Sequence, residues 1–239
     1  MSLKAILFDF NGVIINDETI HEELIGELLI QENLRYSSGE YRSLCLGKSD
    51  RVCLRDMLER RGRIPNEVYL QQLMQKKSAA YQERLAVIEK LPIYAGLEDA
   101  IYNFRLAKLP LGIVSGAMRR EVEMVLERSN LKQYFSIIVT GDEITTSKPD
   151  PEGYLLGAKK LGEMFPELDL QPQECLAIED TPVGMQAAKR AGMQVVGVAN
   201  TYPYHFVQRH CNWAVDYLWD LELERVQEVY AKTSAAMIG

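Results

Sequence analysis

Ala5-Ile6-Leu7-Phe8 runs straight into Asp9-Phe10-Asn11-Gly12. Four consecutive apolar residues suit a short strand buried on both faces, and the abrupt carboxylate marks where it ends. Similar runs recur at Leu111-Gly112-Ile113-Val114, Ile137-Ile138-Val139, Cys175-Leu176-Ala177-Ile178 and Gln194-Val195-Val196-Gly197-Val198. Helical patterning fills the intervals over residues 97–107, 119–129, 152–161 and 183–191. Strands alternating with helices predict an α/β protein with a parallel sheet.

Only the interval after the first run breaks the rhythm. Residues 16–91 hold helical patterns over 18–31, 52–61 and 69–88 and no convincing strand, so they read as a helical domain inserted after the first strand. Residues 1–15 and 92–239 then form the sheet-bearing core. The tail beyond Trp219 reads as a closing amphipathic helix that frays at Ala235-Ala236.

Composition agrees with a compact globular chain. Of 239 residues 47% are hydrophobic and 26% charged, which excludes disordered and fibrous classes. Lys and Arg number 27 against 34 Asp and Glu, a net −7 that gives no basic field for nucleic acid or an anionic membrane. Leu3 to Phe8 is too short for a membrane span. Cys45, Cys53, Cys175 and Cys211 form no C-x-x-C, so reduced thiols, a cytoplasmic setting and no zinc site are expected. Monomer and dimer are both compatible with this chain.

Ligands of open parallel sheets bind at the carboxyl ends of the strands. The residues following each apolar run are Asp9 with Asn11 and Gly12; Ser115-Gly116; Thr140-Gly141-Asp142 with Lys148 soon after; and Glu179-Asp180-Thr181. Acids, a hydroxyl and an ammonium on one rim match metal-assisted phosphoryl chemistry. Carboxylates suit a hard, oxygen-loving Mg²⁺. Ser115-Gly116 ahead of a helix offers backbone N–H groups to phosphate, and Lys148 adds compact positive charge.

Four fragments in this order carry a resemblance: D-F-N-G-V-I (Asp9–Ile14), I-V-S-G (Ile113–Gly116), S-K-P-D-P (Ser147–Pro151) and I-E-D-T-P-V-G (Ile178–Gly184). With Asp17-Glu18-x-x-His21, Gly96 and the run Ala187–Val198, the chain resembles the haloacid dehalogenase superfamily, in particular its β-phosphoglucomutase-like branch. The resemblance implies a Rossmann-like core beneath a helical cap that hinges near 15–17 and 91–94. It implies that Asp9 becomes an aspartyl-phosphate. It also implies that Asp9, the Asn11 carbonyl, Asp180 and Glu179 hold Mg²⁺, that Ser115, Gly116 and Lys148 bind the phosphoryl oxygens, and that cap residues such as Lys48 and Arg51 choose a small phosphorylated metabolite, a sugar phosphate among the candidates.

One position departs from the family pattern. The residue two after the nucleophile is usually an Asp that exchanges protons with the leaving oxygen and then with water; here it is Asn11. General acid–base catalysis contributes about 10²–10⁴ in rate, so a slowed phosphatase ranks above a phosphomutase, which needs the acid in both half-reactions. Three other readings stay open: a mutase, a phosphometabolite-binding protein, and a phosphonoacetaldehyde-hydrolase-like enzyme using Lys48 as a Schiff base. A dehalogenase is disfavoured, because that chemistry needs no metal. His21 is read as structural, and Trp213, Trp219, Tyr202, Tyr204 and His205 as packing.

Overall fold

The computed structural model describes residues 2–238, with side chains described through Lys232 except for Ser38. Strands β1 (Ala5–Phe8), β2 (Leu111–Val114), β3 (Ile137–Val139), β4 (Cys175–Glu179), β5 (Gln194–Val198) and β6 (Trp213–Val215) make one parallel sheet in the order β3-β2-β1-β4-β5-β6. The pleat explains the unbroken apolar runs: Ile6 and Phe8 enter one core layer, Ala5 and Leu7 the other. The order reverses beside β1, whose neighbours are β2 and β4. That is the switch point where α/β sheets bind ligands.

Helices cover both faces: α5 (Leu97–Leu106), α6 (Arg119–Arg128), α7 (Glu152–Met164), α8 (Pro182–Arg190), the short α9 (Tyr204–Val207) and α10 (Leu223–Ile238). The last continues through Ala235 and Ala236, where the sequence suggested fraying. Strand β6 went unforeseen, since it is three residues long and Trp213 and Ala214 are only half-buried.

Between β1 and α5 lie α1 (Glu18–Gln31), α2 (Ser38–Leu44), α3 (Asp50–Glu59) and α4 (Glu67–Ala86), which close over a core of their own that includes Ile25, Leu29, Leu54, Met57 and Leu70. Exit and return of the chain are stitched side by side. Ile15 bridges Ile93 in antiparallel sense, Asn16 N donates to the Pro92 carbonyl at 2.9 Å and Tyr94 N to the Ile14 carbonyl at 3.1 Å.

The expectation of four reduced thiols is corrected. Cys45 and Cys53 form a disulfide across the α2–α3 turn, where their Cα atoms are 4.5 Å apart, while Cys175 and Cys211 are free. A helix-turn-helix joins cysteines eight apart without any short-motif signature, which is why the sequence did not show it. No helix among the described residues is long and apolar enough to cross a membrane.

Candidate active site

Asp9, Glu179 and Asp180 converge at the carboxyl end of the sheet because β1 and β4 are neighbours in register, Phe8 beside Ile178. One carboxylate oxygen from each lies within 4.8 Å of the other two, and all three residues are buried. Lys148 reaches in from the loop before α7: its Nζ is 2.7 Å from Asp9 Oδ1 and 2.6 Å from Glu179 Oε1. Tyr154 Oη donates to Glu179 Oε1 at 2.6 Å, and Thr201 Oγ1 donates to Asp180 Oδ2. Asp180 Oδ1 is buried and has no hydrogen-bond partner among the described residues.

Three buried carboxylates crowd together while the Lys148 ammonium pairs with two of them, Asp9 and Glu179, and the titration behaviour follows. Burial, then the Glu179 charge, pushes Asp9 up to about 7 despite Lys148. Asp180 is driven well above the usual carboxylate range by burial and by Asp9 and Glu179. Burial works against the Lys148 charge, but Asp9 and Glu179 outweigh it and hold the pKa above the ordinary lysine value. Clustered hard oxygen donors with one unpartnered acceptor fit a divalent ion such as Mg²⁺.

Two glycines let the carboxylates approach this closely. A Cβ on Gly12, where φ is +79°, would lie 2.0 Å from Asp180 Oδ2. One on Gly184 in the first turn of α8 would lie 2.1 Å from Glu179 Oε1 and Oε2. The α8 terminus is fixed by Thr181, whose side chain accepts from Gly184 N, and by Pro182 at the first helical position. Ser115 is buried beside the β2 end, its Oγ accepting from Ala117 N at 3.0 Å. Gly116 and Ala117 then form the floor ahead of α6.

Helices α1 to α4 roof this floor. The cavity is walled by Asp9, Asn11, Gly116 and Lys148 below and by Glu18, His21, Tyr41, Lys48, Asp50 and Lys77 above. The α2–α3 turn sits on the rim: Ser49 N donates to Ser147 Oγ at 2.7 Å, and a Cβ on Gly116 would come within 2.9 Å of Ser49 Cα. Lys48 faces the cavity. Arg51 does not; it pairs with Glu67 on the outer side of the roof.

His21, read from the sequence as structural, is buried where it also borders the cavity. Its Nε2 is 3.0 Å from Asn11 Nδ2 and 3.1 Å from Asp17 Oδ2, and its ring stacks on Tyr81 at 4.7 Å. Burial and Lys77 disfavour its charge, but Asp17 prevails and raises its pKa. Burial would raise Asp17, yet His21 outweighs it and holds that carboxylate low. The four-residue spacing of Asp17 and His21 at the start of α1 was the available signal. Tyr41, Asp50 and Lys77 reach the cavity only through tertiary packing and had no such signal.

A model of the haloacid dehalogenase-like hydrolases matches residues 6–198. A phosphorylated carbohydrates phosphatase of Thermotoga maritima is 26% identical over 203 residues, spanning 83% of this chain and 87% of its own. A fructose-1-phosphate phosphatase of Escherichia coli is 27% identical, spanning 81% and 95%. Among solved structures, a β-phosphoglucomutase of Clostridium difficile superposes with a TM-score of 0.79 at 23% identity, covering 98% of this chain and 99% of that one.

Proposed function

The chain belongs to the haloacid dehalogenase-like hydrolases and is an enzyme of their phosphatase kind; from that premise we propose a Mg²⁺-dependent phosphatase, slowed by Asn11, that acts on a small phosphate ester such as a sugar phosphate. The relatives named for carbohydrate and fructose phosphates support this substrate class. The observation that carries the reading is the joint placement of Asp9, Glu179 and Asp180 with Lys148 bound between the first two.

In this reading residues 16–91 are the cap and residues 1–15 with 92–239 the catalytic core. Asp9, the Asn11 main-chain carbonyl, Asp180 and Glu179, the last directly or through water, would hold Mg²⁺, which supplies positive charge against that of the phosphoryl group. Asp9 attacks phosphorus, an O–P bond forms to its carboxylate, and the bond to the leaving oxygen breaks. Ser115, the Gly116 backbone and Lys148 hold the phosphoryl oxygens. Water then attacks the aspartyl-phosphate, releasing phosphate and restoring Asp9. The roof keeps bulk water from the intermediate.

The leaving alkoxide needs a proton, and the attacking water must lose one. The Asn11 amide can hydrogen-bond but cannot exchange protons in either step. Its loss to catalysis is about 10²–10⁴ in rate, or about 2.7–5.4 kcal/mol. Transfer between two positions of one sugar needs that exchange in both directions, which places hydrolysis ahead of mutase chemistry. Phosphate release from a metabolite panel, with Mg²⁺ and with chelator, tests the reading. Release confined to the Mg²⁺ arm and lost in Asp9→Asn is expected; Mg²⁺-independent release, or none from any ester, overturns it.

A further inference from the structure

On the leaving-group side the cavity presents Lys48 and Lys77 as its lysines, and both are already matched. Lys48 Nζ lies 3.2 Å from Asp56 Oδ2. Lys77 Nζ lies 2.8 Å from Asp50 Oδ2 and 3.5 Å from Glu121 Oε2, with Lys77 and Glu121 fully buried. Glu18, on the same wall, is met by a hydroxyl: Tyr41 donates to its Oε2 at 2.7 Å. Two ammoniums thus face four carboxylates, those of Glu18, Asp50, Asp56 and Glu121, while His21 on the same wall is held by a fifth, Asp17. Lys148 is committed to Asp9 and Glu179 at the phosphoryl end.

We propose that this wall selects phosphate esters whose leaving group is an uncharged polyhydroxy compound and rejects leaving groups that carry a second phosphate or a carboxylate, with Glu18 the specificity-determining residue. The proposal rests on the phosphatase reading and narrows its substrate. A hydroxyl of the leaving group can donate to a wall carboxylate or accept from a wall lysine without disturbing an ion pair. A second anion can use the same spare N–H groups only by sharing an ammonium with a carboxylate already paired to it. It is then held close to Asp56 or Asp50, and beside Glu18, so like charges crowd one lysine in a partly desolvated wall.

The test uses esters on one carbon skeleton that differ at a single end: sorbitol 6-phosphate, 6-phosphogluconate and the corresponding hexitol 1,6-bisphosphate, with p-nitrophenyl phosphate as reporter. In Mg²⁺, kcat/KM for the hexitol monophosphate should exceed that for either anionic analogue by at least about 10-fold, a bound set below what like-charge juxtaposition usually costs. Glu18→Gln removes the facing charge, and Asp56→Asn, outside the cavity, frees Lys48; each should shrink that ratio by at least about threefold. Equal or inverted preference overturns the proposal while leaving the phosphatase reading intact. So does a ratio that neither variant moves, or release from p-nitrophenyl phosphate with none from sorbitol 6-phosphate. Absence of release from all four esters overturns the phosphatase reading, and the proposal falls with it.

Discussion

Asn11 donates through Nδ2 to both carboxylate oxygens of Asp17, each at 3.0 Å. The family's usual order at the first of these positions is a carboxylate; here the amide stands there and a buried carboxylate stands behind it, tied to His21 and Tyr81. Asn11→Asp alone sets two carboxylates at that separation, where like charges resist joint ionisation. The exchange Asn11→Asp with Asp17→Asn keeps one amide–carboxylate pair and moves the acid toward the substrate. The single variant should raise kcat on alkyl phosphates, and the double variant should raise it further, recovering part of the about 10²–10⁴ that an acid–base group contributes. Aryl phosphates, which leave without protonation, should gain least. Steady-state phosphate release checks this; a flat response in both variants would return the binding-protein reading to the front.

Asp9→Asn should abolish phosphate release, a fall of the order of 10⁴-fold or more, because the nucleophile itself is gone. Asp180→Ala should lose activity and Mg²⁺ binding together, read by calorimetric titration of the metal. Tight Mg²⁺ binding in Asp180→Ala would mean that the ligand set is wrong.

Gly184→Ala brings a methyl group to within 2.1 Å of both Glu179 oxygens, so the carboxylate must swing out of the cluster. Mg²⁺ affinity should fall by about 10–100-fold, the range for losing an orienting contact around a metal, while far-UV circular dichroism stays that of the parent. Unchanged affinity would place Glu179 outside the metal's surroundings.

Glu152, on the surface, accepts from the backbone N–H and hydroxyl groups of Thr145 and Thr146, and these bonds, the Thr146 hydroxyl foremost, hold its pKa near 2 against an ordinary 4.5. A carboxylate depressed in the folded state stabilises fully above its unfolded pKa and loses that contribution as pH falls through the folded value. Between about pH 4.5 and pH 2, therefore, the parent should lose stability that Glu152→Gln never had. Urea unfolding across that window should show two curves that converge toward its acid end; parallel curves would remove the assignment.

Reducing the Cys45–Cys53 disulfide reopens a short loop in the unfolded chain, which on the chain-entropy account removes about 2–3 kcal/mol. Because the bridge closes the turn that carries Lys48 and Ser49, the loss should appear in the cap first. Hydrogen exchange with and without reductant should show faster exchange in α2 and α3 and little change in β1 or β4.

The sheet was legible because strands buried on both faces leave unbroken apolar runs, and the acids at their ends were legible because Asp9 and Glu179-Asp180 interrupt those runs abruptly. Strand β6 lacked that contrast: Trp213 and Ala214 face partly outward and its neighbours are polar. Helix α3 begins at Asp50, ahead of the first apolar residue of its pattern, since polar residues fill a first turn without disturbing periodicity. The roof of the cavity was the least legible part. Lys77 sits near the middle of α4 and meets Glu121 on α6, a pairing set only by how the two halves close on each other. Arg51 misled for the same reason, because a single step along α3, about 100° of rotation, separates Asp50 on the cavity wall from Arg51, which pairs with Glu67.

The bridge between Ile15 and Ile93 makes the whole helical insert, seen from the core, a single long loop whose two ends touch. The entropy of closing a loop grows only with the logarithm of its length, about 0.6 kcal/mol for each doubling. Whatever is threaded between those two residues therefore weighs little on the stability of the sheet beneath. A roof of another size, carrying another set of wall residues, can be spliced in at the same two points without disturbing the register of β1, so the choice of substrate can change while the phosphoryl-transfer floor stays as it is.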